Sequence, residues 1–504
     1  MSLINDVLGY FIKRRRTRIE EFKEFPIETQ NEVFFGLIDR AKYTEFGLKH
    51  SFKDIRSVAD FQERVPVSTY EEFYPYIERV LKGEKNVLWP SEILWFSKSS
   101  GTTNSKSKFI PVSEESLEEC HYRGGKDLLT LYVENFPENL LFEGKALSIG
   151  GSLHPNPFNT HTIAGDISAV ITRNLPKWAE YMRTPSAEFA LLEKWEDKME
   201  HMIEVCSKEP VTSILGVPTW TVVLLENIME RTGAKNILEV WPDFEVFFHG
   251  AVSFTPYREL FNTKFFPGNK VKYMETYNAS EGFFGIQDDF DLKDQMLLML
   301  DYGIFYEFLP MEEWDKEFPK AITLDDAEIG KNYAVVISTN GGLWRYKIGD
   351  TVKFTSRYPF RVKVSGRTKQ FINAFGEELM VENADQAFSF AAKVCEVTVK
   401  EYSGAPIYMQ SDNKGGHEWV VECSVNPADT QLFVSKFDEK LKELNSDYEA
   451  KRRNDMALDI PKMHFAQTGT FYRWMENRGK LGGQHKVPRL ANTREYIDDL
   501  IKFL

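Results

Sequence analysis

The chain has 504 residues, 42% hydrophobic and 27% charged, which is the composition of a globular protein too long for one ordinary core. Its formal net charge of -14 argues against general nucleic-acid binding, which needs a basic surface. Four scattered cysteines lack metal-ligand spacing and indicate a reducing compartment, and no apolar stretch is long enough to span a bilayer. We therefore expect a cytoplasmic protein with neither a nucleic-acid nor a membrane partner.

The first part of the chain, to about residue 90, has a helical pattern. The basic run from Lys13 to Arg18 is typical of a solvated helix face, with a membrane or partner contact as the less favoured reading. Thr69 and Glu72 have the spacing of a capping box, which predicts a helix start, and Gly83 predicts the end of that helix.

From about residue 145, short apolar runs alternate with helical segments such as EFALLEKWEDKMEHMIEVC, which predicts an α/β fold. Asn340-Gly341 predicts a hairpin between two of the strands. After about residue 370 the pattern is that of a compact α+β unit, in which QLFVSKFDEKLKELNSDYEAK is predicted to be one helix. We therefore predict a large, multi-sheet α/β N-terminal domain over residues 1–368 and a smaller α+β C-terminal domain over residues 369–504.

The polar stretch SSGTTNSKSK, residues 99–108, has the composition of a phosphate-binding loop. Its hydroxyls and lysines supply the donors and positive charge that phosphate oxygens require, and its glycine lets the backbone approach. The pattern G-x-x-x-x-G-K-[ST] is absent. On these residues alone, a phosphate loop and a solvent-exposed surface loop are equally acceptable.

Four further stretches carry side chains suited to nucleotide chemistry. Glu281, after the strand-like run VKYMETY, could hold magnesium through one carboxylate, or simply face solvent in a turn. Asp350 could accept hydrogen bonds from both ribose hydroxyls, or belong to an ordinary Gly-Asp turn. Arg367 could bind phosphate or ribose beside a hinge at Lys369, or belong to a polar linker. Lys486 could reach a distant site from a glycine-rich loop, or belong to a disordered basic tail.

The order and wording of these stretches resemble the adenylate-forming superfamily, which includes acyl-CoA synthetases, peptide-synthetase adenylation domains and luciferases. More closely, the chain resembles the acyl acid–amido synthetases, known from plants as auxin-responsive enzymes and present in bacteria. The resemblance runs over nearly the whole chain. It rests on PVSTYEEFYPYIERVLKGE, SSGTTNSKSKFIPV, YNASEG, GIFYEFLP, LWRYKIGDTVKF, SGRTKQF, and GTFYRWMENRG followed by QHKVPR.

The resemblance implies a mobile C-terminal domain, an active site between the two domains, and two half-reactions. In the first, a carboxylic acid attacks the α-phosphate of ATP, with magnesium, to give acyl-AMP and pyrophosphate. In the second, an amine, usually an amino acid, displaces AMP to give an amide. The identities of the acid and of the amine stay open.

The resemblance also assigns roles to individual positions. It makes Lys108, Glu281 and Lys486 the catalytic charges, with Glu281 the magnesium ligand, and it puts the hinge at Lys369. It assigns contacts with the nucleotide to Ser99, Ser100, Thr102, Thr103, Gly250, Ala251, Tyr277, Ala279, Ser280, Asp350 and Arg367.

The acyl pocket is expected near Val217, Trp220 and Phe247, because these residues lie close to the motifs. His249, just before Gly250, is predicted to be a buried histidine with satisfied hydrogen bonds.

Two departures from the family pattern keep alternatives open. Asn104-Ser105 replaces the small residues usual in the phosphate loop, so Lys106 could share the role of Lys108. The stretch AFGEEL, residues 374–379, is more similar to the general superfamily than to the plant enzymes, which keeps an acyl-CoA ligase as an alternative. A non-catalytic protein that binds AMP or an acid is the third reading.

Overall fold

The computed structural model of the protein describes residues 3–99, 108–156, 158–192, 194–252, 254–255, 257–268, 270–314, 316–368, 371–410, 414–453, 457–478 and 487–504. Its α-helices are α1 (Leu3–Glu24), α2 (Pro26–Ala41), α3 (Glu45–Lys49), α4 (Val58–Arg64), α5 (Tyr70–Leu81), α6 (Arg123–Asn135), α7 (Ile167–Arg173), α8 (Lys177–Met182), α9 (Ala187–Ala190), α10 (Trp195–Cys206), α11 (Pro218–Thr232), α12 (Arg258–Leu260), α13 (Val381–Val394), α14 (Thr430–Leu444), α15 (Ser446–Arg452), α16 (Thr470–Asn477) and α17 (Glu495–Ile501).

The β-strands are β1 (Trp95–Ser99), β2 (Lys108–Val112), β3 (Lys145–Ser148), β4 (Leu153–Pro155), β5 (Ile163–Gly165), β6 (Arg183–Thr184), β7 (Val211–Gly216), β8 (Val246–Gly250), β9 (Lys272–Ala279), β10 (Gly282–Ile286), β11 (Met296–Leu298), β12 (Ile304–Pro310), β13 (Asn332–Thr339), β14 (Tyr346–Arg357), β15 (Phe360–Arg367), β16 (Phe371–Ile372), β17 (Leu379–Met380), β18 (Val399–Ile407), β19 (Gly416–Cys423) and β20 (Lys462–Ala466).

An 11-stranded mixed sheet organises the chain, in the order β12-β13-β14-β15-β11-β10-β9-β8-β7-β3-β6. Strands β6, β3, β7, β8 and β9 run parallel to one another, and the remaining pairs are antiparallel. Since parallel strands end at a common edge, the loops after β3, β7, β8 and β9 lie together, where open α/β sheets bind ligands.

Two hydrophobic cores lie against this sheet. The first holds the early helices together with alternate strand residues, including Phe34, Ile77 and Met274. The second includes Phe247 and Tyr257, and it continues into residues after 368, such as Phe375. The alternation of Tyr273 in the second core and Met274 in the first follows from the two-residue period of a strand.

The strands after residue 368 belong to separate small sheets, β16-β17 and β18-β19-β20. This is the α+β unit that the sequence predicts, and a boundary at residues 368/369 stays a prediction. The unit packs directly on the preceding part of the chain: the Tyr257 hydroxyl donates to the carbonyl of Ala374 at 2.6 Å.

The basic run in α1 is not simply a solvated face. Arg15 donates to both carboxylate oxygens of Asp127, at 2.7 and 2.6 Å, and to Asp301 at 3.0 Å. The Asp127 side chain is fully buried and the Asp301 side chain is 4% exposed. Arg16 and Arg18 also pair with carboxylates, Glu134 and Glu21 among them. The expectation of a solvated face was therefore wrong for Arg15, which neutralises buried charge within the chain.

Local predictions for helix α5 are confirmed. Thr69 and Glu72 form the predicted capping box, the helix ends at Leu81, and Gly83 has a positive φ of 92°. The hairpin at Asn340-Gly341 also forms between β13 and β14, although six residues, 340–345, connect the strands instead of two.

Longer helical predictions break into pieces. The segment EFALLEKWEDKMEHMIEVC gives two helices, α9 and α10, and QLFVSKFDEKLKELNSDYEAK gives α14 and α15. Asn445 divides the latter pair, because its side chain caps α15 at the Tyr448 N–H and donates to the carbonyl of Glu377, both at 2.8 Å. Of the helices that the structure describes, none combines the length and apolar character needed to traverse a bilayer.

Candidate active site

The carboxyl edge of the parallel strands brings several predicted nucleotide residues together. Gly250 ends β8, opposite Thr276 of β9. A Cβ atom added to Gly250 would lie 2.6 Å from the Thr276 carbonyl oxygen, so only glycine allows this approach. Ala251 follows in the left-handed region, with φ of 67°. The chain therefore turns sharply at the predicted adenine loop.

The turn after β9 carries the next group of predicted residues. Tyr277 and Ala279 lie at the end of β9, and Ser280-Glu281 form the two-residue connection to β10, with Ala279 opposite Gly282. This turn presents Glu281 at the same edge as Gly250. Among the described residues no group of three or more His, Cys, Asp or Glu side chains forms a metal site.

Tyr70 connects Glu281 with the predicted phosphate loop. Lys108, paired with Ser99 across strands β1 and β2, has its Nζ 5.5 Å from the centre of the Tyr70 ring. The Phe109 N–H donates to the Tyr70 hydroxyl at 2.8 Å. Burial is the main reason that the pKa of Tyr70 is raised to about 12, and the negative charge of Glu281 adds to the shift. Tyr70 therefore lies against the start of β2, and the charge of Glu281 acts on its hydroxyl.

Several predicted residues lie outside what the structure describes. They are Ser100, Thr102, Thr103, Lys106, Lys369, Lys486 and the side chains of Ser99 and Arg367. The backbone of Arg367 is described: it pairs with Asp350 across strands β14 and β15.

Asp350 and Tyr277 connect two stretches that are distant in the sequence. The Tyr277 hydroxyl donates to Asp350 Oδ2 at 2.7 Å. Asp350 is only 8% exposed, so this bond fixes the orientation of a nearly buried carboxylate. The same carboxylate follows Gly349, whose φ is 93°. Both residues lie inside strand β14, where its register with β13 shifts, so the structure has an irregular strand here and not the Gly-Asp turn that was the alternative.

The three predicted acyl-pocket residues lie in two environments. Val217 precedes α11 as its N-cap residue, and Trp220 is in the first turn of that helix. The Lys451 Nζ lies 5.4 Å from the centre of the Trp220 ring, so this region meets the C-terminal unit. Phe247 is fully buried and stacks on Phe261, with ring centres 5.1 Å apart. A pocket formed by these residues stays a prediction.

His249 is buried as predicted, but its hydrogen bonding was predicted wrongly. Neither ring nitrogen has a partner within the described part of the chain. Burial, together with the charge of Arg258, lowers the pKa of His249 to about 3, so the imidazole is neutral. The His249 ring stacks on the Phe254 ring, with ring centres 4.2 Å apart, and His249 is the residue just before Gly250.

Sequence reasoning missed two supporting residues. Tyr70 lies in the family-like phrase PVSTYEEFYPY, and that phrase was the available signal for it. Arg345, in LWRYKIGD, forms a buried ion pair with Glu307 at 2.9 Å and also donates to the carbonyls of Gln62 and Val65. The stretch around Asp350 is therefore held in place by a buried cation.

The fold is that of the adenylate-forming enzymes, as the sequence predicts. The solved structure of GH3.15 acyl acid amido synthetase superposes with a TM-score of 0.61 at 17% identity, covering 96% of this chain and 95% of that chain. Sequence profiles then define the family. The GH3 family N-terminal domain matches residues 15–271, the central domain residues 297–367 and the C-terminal domain residues 382–495. The chain belongs to the GH3 family.

Named relatives match over most of their length. Indole-3-acetic acid-amido synthetase GH3.3 of Arabidopsis thaliana is 23% identical over an alignment 550 residues long with its gaps. That alignment covers 94% of this chain and 91% of the relative. The 4-substituted benzoates-glutamate ligase GH3.12 of the same plant is 22% identical over 519 residues, covering 87% and 88%. The resemblance stated from the motifs is confirmed at the level of the family.

Proposed function

We propose that this protein is an ATP-dependent acyl acid amido synthetase that activates a carboxylic acid as acyl-AMP and transfers it to an amine. The observation that supports this most strongly is the hydrogen bond between Tyr277 and Asp350, which joins two separate motifs at the edge that also carries Glu281. The names of the two plant relatives support the same reaction, with an amino acid as the amine in the benzoates-glutamate ligase.

In the adenylation step, the carboxylate oxygen of the acid attacks the α-phosphorus of ATP and pyrophosphate leaves. Lys108, beside Tyr70, would hold the phosphates together with the hydroxyls of Ser99, Ser100, Thr102 and Thr103. Asp350, oriented by Tyr277, would accept from the ribose hydroxyls. Gly250, Ala251, Ala279, Ser280 and Arg367 would flank the rest of the nucleotide, and Lys486 would reach in from the C-terminal domain.

Magnesium suits the donor set around Glu281. The ion commonly binds through one or two carboxylates plus substrate phosphates, and a single carboxylate on the tight turn between β9 and β10 fits that pattern. When bound it would neutralise phosphate charge. Glu281 would hold it, and Lys108 would share the neutralisation.

In the transfer step, the amine nitrogen attacks the acyl carbonyl carbon, the bond from that carbon to the phosphate oxygen breaks, AMP leaves as the anion, and the nitrogen releases one proton to solvent. The segment Ala374–Glu378 contacts the start of α11, where Gly376 lies between Lys451 and Val217. We propose that this segment belongs to a mobile C-terminal domain, residues 369–504, that rotates at Lys369. The separate sheets after residue 368 support that division. The free cysteines among the described residues support a cytoplasmic location.

Carboxylate-dependent pyrophosphate release, screened across aromatic and aliphatic acids with each amino acid and with CoA, tests the proposal. We expect release with at least one acid and an amide product with at least one amino acid. Pyrophosphate release with a thioester and no amide would make the protein an acyl-CoA ligase. Ligand binding without any release would favour a non-catalytic protein.

Matched variants test the assigned residues. Lys108→Ala should lower the adenylation rate roughly 10²–10³-fold, because it removes charge from the phosphate site. Lys235→Ala, an exposed lysine remote in sequence from every motif, should leave the rate within about twofold of the parent. Equal rates for the two variants would contradict the role given to Lys108.

A further inference from the structure

A cleft of about 520 Å³ lies at the edge strand β6 of the large sheet, away from the candidate active site. Its charged lining residues are Lys145, Lys177, Glu180, Arg183 and Glu209. Strands β3 and β7 separate β6 from β8. At roughly 4.8 Å between neighbouring strands, β6 lies about 14 Å from the strand that ends at Gly250. Lys145 also begins β3, so this lining reaches the amino end of the parallel strands, opposite to the candidate site.

Arg183 is buried in the wall of this cleft without enough acceptors. Its side chain is 4% exposed, and its Nε and Nη2 atoms have no hydrogen-bond partner within the described part of the chain. Nη1 makes one long contact, 3.4 Å, with Glu180 Oε2. A guanidinium stays charged at every physiological pH, and burial without matched acceptors is unfavourable. Burial accordingly lowers the pKa of Arg183.

Glu209, in the same lining, lacks a hydrogen-bond donor among the described residues for one of its carboxylate oxygens. Its Oε2 atom is buried and has no donor in the structure as described. Both Glu209 and Arg183 act on the pKa of the Cys206 thiol, which burial raises to about 12, so the two charges flank one sulfur. Yet no ion pair within 4.0 Å joins these two described residues. The cleft therefore contains a cation short of acceptors and an anion short of donors.

Neighbouring groups do not supply what is missing. Glu180 Oε1 accepts from the Ala187 N–H at 2.6 Å. Lys145 donates to the Tyr181 carbonyl and lies 4.4 Å from the centre of the Tyr181 ring. Glu180 and Lys145 are therefore engaged with backbone at the cleft wall, and Lys177, the remaining charged residue of the lining, is exposed to solvent.

We propose that the cleft binds a small zwitterion of the α-amino acid class, with its carboxylate at Arg183 and its ammonium at Glu209. One such molecule satisfies both deficiencies. The described lining has three cations and two carboxylates, so its charge does not exclude a phosphate dianion, but a phosphate would leave Glu209 Oε2 without a donor. Phe189 and the Tyr181 ring, 70% exposed, offer an apolar wall for the ligand side chain. This site is separate from the proposed acceptor-amine site and does not depend on it.

Calorimetric titration of the full-length chain with each of the common α-amino acids, without ATP, tests the proposal. We expect saturable binding of one molecule per chain for at least one amino acid. Arg183→Met and Glu209→Gln should each weaken it at least tenfold, and Asp350→Ala, in the candidate active site, should not change it. The N-acetyl and carboxamide derivatives, each lacking one charge, should bind at least tenfold more weakly.

Ser186→Trp provides a second test, because Ser186 lines the cleft and a tryptophan there would occupy cleft volume while Arg183 and Glu209 remain in the chain. It should abolish binding even if Arg183→Met fails to fold. The proposal is overturned if no amino acid binds saturably. It is also overturned if folded Glu209→Gln and Ser186→Trp bind as the parent does, or if inorganic phosphate binds more tightly than every amino acid.

Discussion

Arg345 and Glu307 form a pair that is almost completely shielded from water, with side chains 3% and 1% exposed. Arg345 reaches this position with a positive φ of 44° and satisfies its remaining donors on the carbonyls of Gln62 and Val65. It thereby joins the hairpin before Asp350 to the helical N-terminal region. Removing one member of such a pair leaves the other charge buried and uncompensated in a low-dielectric interior.

Arg345→Met should therefore lower the free energy of unfolding by about 3–5 kcal/mol, because Glu307 loses its cation. Denaturant unfolding of the purified variants measures this. Arg231→Met, which breaks the solvent-exposed pair with Glu200, is the control and should have little effect. Equal losses for the two variants would show that burial does not decide the cost.

Gly250 gives a prediction about activity, since the Thr276 carbonyl lies where its Cβ would be. Gly250→Ala should displace the loop that we assign to adenine and raise the KM for ATP by about tenfold, corresponding to about 1.4 kcal/mol. Pyrophosphate release at varied ATP measures it. Gly36→Ala, where no atom lies within 4 Å of the added methyl, should leave KM unchanged. An unaltered KM in Gly250→Ala would contradict the assignment.

At this scale, what the sequence predicts correctly is local. The capping box needs only Thr69 and Glu72, three residues apart, and it forms. The bond from Tyr277 to Asp350 spans 73 residues and the contact of Arg15 with Asp301 spans 286, so no window of sequence contains either. The motifs indicate which residues carry chemistry, whereas the order of the strands determines which of those residues are in contact.

Among the elements, one carboxylate links two strands of the sheet β18-β19-β20 to the residue just before the C-terminal helix, beside the apolar cluster that packs that helix on the sheet. Glu418 of β19 accepts from Lys462 and His464 of β20, at 2.7 and 2.8 Å, and from Arg494 just before α17. Burial raises the pKa of Glu418, but these hydrogen bonds outweigh it and lower the pKa to about 2.

A carboxylate whose folded pKa lies below its ordinary value stabilises the fold above that ordinary value and stops doing so as pH falls. For Glu418 the contribution is complete above about pH 4.5 and is lost between pH 4.5 and pH 2. Glu418→Gln should therefore be less stable than the parent at pH 6, and the difference should shrink towards pH 3. Urea unfolding at both pH values checks this, and a constant difference would contradict it.

Helix boundaries show a second limit of sequence reasoning at this scale. The pattern from Thr430 to Arg452 is continuous as an amphipathic helix, yet the structure breaks it at Asn445. The break depends on a partner, the carbonyl of Glu377, that lies 68 residues earlier. Helix propensity depends on the residues of the segment itself and does not include that distant contact, so the sequence predicts one continuous helix.

Across the whole molecule, the second core is shared between the two proposed domains. Phe247, Phe261 and Tyr257 of the large sheet region belong to the same cluster as Phe375 and Trp419 of the C-terminal unit. A hydrophobic contact of this kind couples the stability of the parts that share it. The rotation implied by the family resemblance would have to open this cluster along the contact between Tyr257 and Ala374.

Calorimetric unfolding without substrates should consequently show one transition for the chain. The polar link is tested by Tyr257→Phe, which removes the 2.6 Å hydrogen bond to Ala374 and should lower the midpoint temperature of that same transition. Two resolved transitions in the parent protein would contradict a shared core. They would instead indicate domains that fold independently.

The ion network of α1 has a practical consequence for shortening the chain. The family match begins at residue 15, so a chain that starts at residue 19 would lose only the first four matched residues. That trim would remove Arg15 and leave Asp127 and Asp301 buried without the cation that contacts both. Any version of this protein prepared for expression or for fusion at its N-terminus should therefore begin upstream of Arg15.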